Sequence, residues 1–146
     1  MRHAALPGLV LGLLLAGCGG GDGDRLSRAQ LIQRGDQQCA ALAKQEQRVG
    51  AFRDVKALAA KGDALLAVDR AGLRRFARLR PPSDLQRDFD AYLKLVRGAL
   101  EVEAQYIDAA KNRDVPSLRR LNLRQQALRP RLAEAARKVG FRVCSR

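Results

Sequence analysis

The chain predicts an all-α fold, an antiparallel up-down four-helix bundle, and three observations carry that prediction. Alanine and leucine dominate the apolar residues, while aromatics make up only 4% of the 146 residues and tryptophan is absent. That composition favours helix over sheet. Apolar residues recur at steps of three and four in four successive stretches, the period of one helix face. Short connections bearing glycine, proline or a polar cluster separate the stretches, so neighbours in sequence should pack antiparallel. Two long hairpins without a closed four-helix core are the alternative that this pattern leaves open.

The first helix is predicted from about Arg28 to Val49. Ser27 and Gln30 have capping-box spacing, and Leu26 and Leu31 flank the cap as a hydrophobic staple. Leu31, Gly35, Cys39, Leu42 and Val49 fall on one face, and Gly50 is a natural stop. The second helix is predicted from about Phe52 to Leu79, along Val55, Leu58, Leu65, Gly72, Phe76 and Leu79, with a weak point at Lys61-Gly62-Asp63. Pro81-Pro82 ends it, because proline disfavours helix in the residue before it. Ser83 and Gln86 repeat the capping-box spacing ahead of a third helix carrying Leu85, Phe89, Leu93, Val96, Leu100 and Ile107. Asp114 is the expected cap of the fourth, with Pro116 in its first turn. There Leu118, Leu121, Gln125, Leu128, Leu132, Ala135 and Val139 alternate in steps of three and four. Pro130 should kink this helix. Gly140 stands at the C′ position, from which Phe141 would pack back on the last turn.

Ahead of these helices the chain reads as an export leader. Met1-Arg2-His3 is a short basic head, an uncharged apolar run extends from Ala4, and small residues end it at Leu15-Ala16-Gly17-Cys18. The run is shorter than the roughly 20 residues a spanning helix needs. The pattern resembles the lipobox of bacterial lipoproteins, in which the cysteine is lipidated and the chain is cut just before it. The expected organisation is therefore a cleaved leader at 1–17, a lipidated Gly/Asp tether at 18–26 and a bundle domain at 27–146. Lipidation at Cys18 would tether the protein outside the cytoplasm, at the cell membrane or the outer membrane.

Assigning Cys18 to lipid leaves Cys39 and Cys144 of the three cysteines, in a compartment where disulfides persist. A Cys39–Cys144 bridge is the expectation, with two buried thiols as the alternative. Cys39 lies roughly 18 Å along the first helix, and four extended residues after Gly140 reach back about 13 Å. The bridge therefore requires the tail 141–144 to fold over the first helix. Zinc is disfavoured, since two distant cysteines without histidine cannot supply four ligands.

Leu26-Ser27-Arg28-Ala29-Gln30-Leu31-Ile32 with Gly35-Asp36 and Cys39, Leu79-Arg80-Pro81-Pro82, and Val139-Gly140-Phe141-Arg142-Val143-Cys144 together resemble a widespread group of small bacterial lipoproteins. The resemblance implies a helical, disulfide-closed extracytoplasmic domain and carries no activity with it.

Catalytic chemistry has little to draw on. The only histidine, His3, lies in the leader, so a Ser–His arrangement and a Glu-x-x-His di-iron site are excluded. Ser27, Ser83 and Ser117 lie at helix starts. Glu101 and Glu103, two apart on a helix, point away from each other, and nothing in the sequence indicates a carboxylate pair between helices. The expectation is a protein that is not an enzyme and has no metal or cofactor.

Charge is the remaining signal: +13 for the chain, and one less after loss of Arg2. Arg70, Arg74 and Arg78 stack at four-residue steps on the second helix, and Arg120, Arg124 and Arg131 form a stripe on the fourth. Such stripes attract polyanions: anionic lipid, a cell-wall polymer or an acidic envelope protein. Alternatively, their aliphatic stems cover the rim of the core beside acids such as Glu101 and Asp108. Nucleic acid is not expected of an exported chain with few aromatics for base stacking. The functional expectation is a non-catalytic binding or structural envelope lipoprotein with a basic surface. The alternative is a carrier of a lipid or small apolar ligand, which requires a sizeable cavity in the bundle.

Overall fold

The computed structural model describes residues 24–145; the leader, Cys18 and the glycine run after it lie outside them. Four helices follow one another: α1 (Arg28–Val49), α2 (Val55–Phe76), α3 (Gln86–Lys111) and α4 (Val115–Val139), with a short 3-10 turn at Ser83–Leu85 before α3. Each helix packs along the next, giving an all-α four-helix bundle. α1 and α4, which would close the ring, do not pack along their length; the chain after α4 bridges them.

Local chemistry explains most of the boundaries. α1 opens with the predicted capping box: Ser27 Oγ accepts from the Gln30 backbone N–H, and Gln30 Oε1 accepts from the Ser27 N–H at 2.9 Å. Order extends upstream of Ser27, where the Leu26 N–H donates to the Arg80 carbonyl at 2.8 Å and Arg80 pairs with Asp24. α2 begins later than the sequence predicts, because Asp54 accepts from the Ala57 N–H and so caps a helix starting at Val55. It also ends three residues earlier, at Phe76, and Ala77–Arg80 turn toward the prolines.

Two other expectations are corrected. Gly62 is no weak point in α2: it is buried, and a Cβ there would lie 2.6 Å from Ile107 Cγ1, so the missing side chain is a notch that lets α3 approach. Ser83 does not cap α3. Pro82 precedes the 3-10 turn with no side-chain cap, while Gln86 turns its amide to Asp90. α4 runs through the exposed Pro130 as one helix, with Asp114 accepting from the Ser117 N–H at its start.

The buried core divides into two clusters. One gathers Leu31, Phe76, Leu85, Phe89, Tyr92, Leu93, Ala135, Ala136, Val139 and Phe141 from all four helices and the tail. The other gathers Leu58, Leu66, Val102, Ile107, Ala109, Ala110, Leu118 and Leu121 from α2, α3 and α4 only. α1 buries just Leu31 and Gly35, both in its first half.

The tail is held to α1 at three points. Gly140, at φ +101°, adopts a left-handed conformation that glycine tolerates without steric cost. It lets the Phe141 N–H reach the Ala136 carbonyl and its own N–H the Arg137 carbonyl, which is a Schellman closure. Phe141 then drops against Gly35, where any Cβ would run into its ring. Asp36 Oδ1 accepts from the Arg142 and Val143 N–H groups at 2.9 and 2.8 Å. One helical turn on, Cys39 is bonded to Cys144 with Cα atoms 5.4 Å apart. The predicted disulfide is present, and the tail folds back as it requires.

Candidate functional site

Each inward stripe of apolar residues carries a polar side chain at the level of one groove, and α1 also turns Gln38 inward nearer the tail. At the groove it is Glu46 in α1, between Leu42 and Val49; in α2 it is Asp69, between Leu65 and Leu73. In α3 it is Glu103, between Leu100 and Ile107, and in α4 Gln125, between Leu121 and Leu128. Because these positions continue the helical steps of three and four, the side chains point inward with their apolar neighbours. All four line one groove.

The groove holds about 640 Å³ and opens to solvent. α2 and α3 supply much of its lining, with Leu58, Leu65, Leu73, Phe76, Tyr92, Leu93, Val96 and Leu100; α1 and α4 flank it with Leu42, Ala43, Leu128 and Leu132. Val143 and Cys144 close over one end. It lies where a fully closed bundle would place its α1–α4 contact. The outer half of α1 contributes no buried residue, so nothing draws that half down onto α4. The cavity named as the requirement for a carrier is therefore present.

The electrostatics of the groove are acidic. Burial pushes the Asp69 carboxyl up to about 8, and the Glu103 and Glu46 carboxyls beside it add to the rise. Asp69 hydrogen-bonds acid to acid with Glu46 and Glu103, and its Oδ1, shut off from solvent, meets no amide or cationic donor. Burial also raises Glu103, while contact with Asp69 and the guanidinium of Arg70 pull it down and Glu46 pushes it up. Arg129 is the one basic residue among those lining the groove. Burial alone pushes the Tyr92 phenol up to about 12. Such a site can take up or release a proton near neutral pH and can hold a cation against the carboxyls. Among the described residues no group of three or more His, Cys, Asp or Glu side chains is placed to hold a metal ion.

The arginines singled out from the sequence lie elsewhere. Arg70, Arg74, Arg78, Arg120, Arg124 and Arg131 are all exposed, on two helices that do not pack along each other. Arg120 donates to Ser117 Oγ, and Arg70 acts on Glu103. No ion pair among the described residues holds the side chains of Arg74, Arg78, Arg124 or Arg131. Glu101 and Asp108, the acids named as their partners, make no ion pair with them. Cys18 lies outside the described residues, and no helix among those residues is long and apolar enough to cross a membrane.

Glu46, Asp69 and Glu103 bring carboxyls from three helices together, a meeting that the sequence reading left open without pointing to it. A sequence signal for them existed: each occupies a step-of-three-or-four slot in an otherwise apolar stripe. A single such residue is unremarkable. Its recurrence in all four helices is the informative pattern. No family model, curated protein or solved structure matches the chain.

Proposed function

We propose that this protein is a lipid-anchored extracytoplasmic binding protein, not an enzyme, which carries a small, largely apolar molecule in the groove between its helices. The observation that carries this reading is the groove itself. Its volume of about 640 Å³ falls within the roughly 300–1,000 Å³ of small-molecule sites, and apolar side chains from four helices line it. The leader and the residues around Cys18 support anchoring, and the cross-linked tail keeps one end of the groove in place.

The neutral fluorophore N-phenyl-1-naphthylamine tests the reading. It should bind the oxidised protein saturably and brighten, and Ala99→Trp, which places a large ring in the groove lining, should abolish the signal while leaving helix content unchanged. Absence of saturable binding, or equal binding by Ala99→Trp, would overturn it.

A second reading concerns the surface. Arg74, Arg78, Arg124 and Arg131 stand exposed without ion pairs among the described residues, which supports attraction to anionic lipid or cell-wall polymer around the anchor. Such attraction weakens steeply with salt, since the screening length falls from about 10 Å at 0.1 M to about 3 Å at 1 M. Co-sedimentation with anionic and neutral vesicles across a salt series checks it. Equal binding to both would sink it.

A further inference from the structure

We propose that the groove selects cationic amphiphiles, with a protonated amine seated against Glu46, Asp69 and Glu103 and its apolar body laid along the leucine-lined walls. The inference rests on the carrier reading above and names the chemical class of the ligand.

Three observations carry it. The first is charge complementarity. Lys and Arg outnumber Asp and Glu by 28 to 15 in this chain, yet the groove lining holds three carboxyls and one guanidinium. An anionic head would meet the same sign of charge here; an ammonium meets the opposite one.

The second observation is a carboxyl placed against other acids. Asp69 hydrogen-bonds to Glu46 and Glu103, contacts that require a shared proton, and no amide or cationic donor reaches its buried Oδ1. Leucine at the same stripe position would avoid this arrangement. A primary ammonium offers three N–H donors and would satisfy Asp69 while reaching a neighbouring carboxyl. The third observation is placement. Asp69 has Leu65 one turn before it and Leu73 one turn after it, both in the lining, so a ligand whose head reached Asp69 would have apolar wall in either direction along α2.

The charged groups acting on Asp69 are Glu46 from α1 and Glu103 from α3, and Arg70 acts in turn on Glu103. α4 presents Gln125 and Arg129 to the same groove. With burial and two carboxyls acting on it, Asp69 holds a proton at neutral pH when the groove is free. An arriving ammonium favours the carboxylate, so binding expels that proton to solvent and the ion pair forms in its place. Affinity for a permanently protonated amine therefore rises as pH increases toward about 8 and levels off above it.

Calorimetric titration of the oxidised full chain bearing Cys18→Ser, with decylamine, decanol and decanoate as probes, tests the inference. Decylammonium, which like lysine keeps its proton below about pH 9, should bind roughly tenfold or more tighter than decanol, the worth of one charge-assisted hydrogen bond. Decanoate should bind weakest. Repeating the decylamine titration in buffers of different ionisation enthalpy should show proton release at pH 7. Asp69→Asn with Glu103→Gln should erase the preference and the proton release while leaving decanol binding in place. Glu46→Gln, on the half of α1 that buries no residue and so safer for the fold, should weaken decylamine alone. Equal affinity for the three probes, or a preference for decanoate, overturns the cationic assignment and leaves the carrier reading standing. Failure of all three to bind overturns both.

Discussion

At the end of the bundle where the tail folds back, Phe76, Phe89, Tyr92 and Phe141 meet edge to face, with Tyr92 and Phe141 centroids 5.6 Å apart. The Cys39–Cys144 bond lies beside them. At the opposite end the buried cluster is aliphatic and alanine-rich, contains no buried ring, and lacks α1 altogether. The first end needs large side chains because four helices and a tail surround a wide space. The second closes through small ones: Gly62 against Ile107, with Ala109 and Ala110 behind. The contrast explains the groove. α1 is pinned by Leu31, Phe141, Asp36 and the disulfide, and beyond them it buries no residue of its own, although Leu42 lies over Gly72 of α2. A bundle stapled at one end and unclosed along one seam leaves a cavity between the two cores.

The largest effect expected from breaking this asymmetry is at Phe141. Its ring is 1% exposed and touches three other rings. Phe141→Ala removes that contact and leaves a cavity, a loss of about 3–5 kcal/mol, measured by urea unfolding of the oxidised protein. A loss below about 1 kcal/mol would mean that the tail merely lies on the bundle and does not hold it.

The disulfide comes next. It closes a loop of 105 residues, so reduction should cost about 2–4 kcal/mol. Its location sharpens the comparison further than its size. Amide exchange in the reduced protein should accelerate first in α1 and in residues 141–145, while α3 and α4 near Ile107 and Leu118 stay protected. Uniform acceleration at both ends would show one cooperative unit with no stapled end.

What was legible in the chain, and what was not, follows the same division. The Ser27–Gln30 box, the Gly140 stop, Phe141 packing back and the Cys39–Cys144 pair are local spacings or simple counts, and local chemistry decides them. The start of α2 at Asp54 and the turn at Ser83 are local too, but the apolar stripe through Phe52 and the Ser83–Gln86 spacing point elsewhere; the notch at Gly62 depends on which side chain meets which across helices. Gly62 reads as a helix breaker until Ile107 is seen filling its space. The site was hardest for the same reason. Glu103 considered with Glu101 shows two acids on different faces of one helix. Only the register of α1 and α2 against α3 brings Glu46 and Asp69 to it. The arginine stripes were easy to see because exposed charge on one helix needs no tertiary information.

A smaller effect separates the groove from both cores. The Asp69 carboxyl titrates at about 8 in the folded protein against an ordinary value of 3.8. The folded state therefore holds the proton more tightly than the unfolded chain. The stability this contributes is complete below about pH 4 and is lost progressively as pH rises to about 8, where Asp69 must ionise beside Glu103 and Glu46. Asp69→Asn keeps the shape of the protonated acid and cannot ionise. It should match the wild type near pH 4 and exceed it near pH 9 by about 1–2 kcal/mol, the full shift being discounted because Asp69 is partly exposed. Melting curves across that range check the slope. A wild type equally stable at both ends of the range would remove the buried acid from the account. Neither core cluster contains a buried charged residue, so this pH dependence belongs to the groove.

The smallest effect compares the two ends through one shared motif. α3 and α4 finish alike: the Asp114 N–H reaches the Ala109 carbonyl and the Arg113 N–H that of Ala110, as Phe141 and Gly140 do one helix later. Both closures demand a left-handed residue. At the stapled end it is Gly140, at φ +101°; at the far end it is Arg113, at φ +55°. A side chain in that region costs about 1 kcal/mol relative to glycine, part of which glycine returns through its greater freedom in the unfolded chain. Arg113 is exposed and makes no ion pair among the described residues, so only its weak attraction to the C-terminal end of α3 offsets the strain. Arg113→Gly should therefore stabilise the protein slightly, by about 0.5 kcal/mol or less. Gly140→Ala should destabilise it by about 1 kcal/mol or more, because its Cβ would also stand 2.8 Å from Ile32 Cδ1. Opposite signs in parallel thermal melts are the expected result. Destabilisation by Arg113→Gly would mean that the arginine side chain contributes a contact at the far end large enough to outweigh its backbone strain.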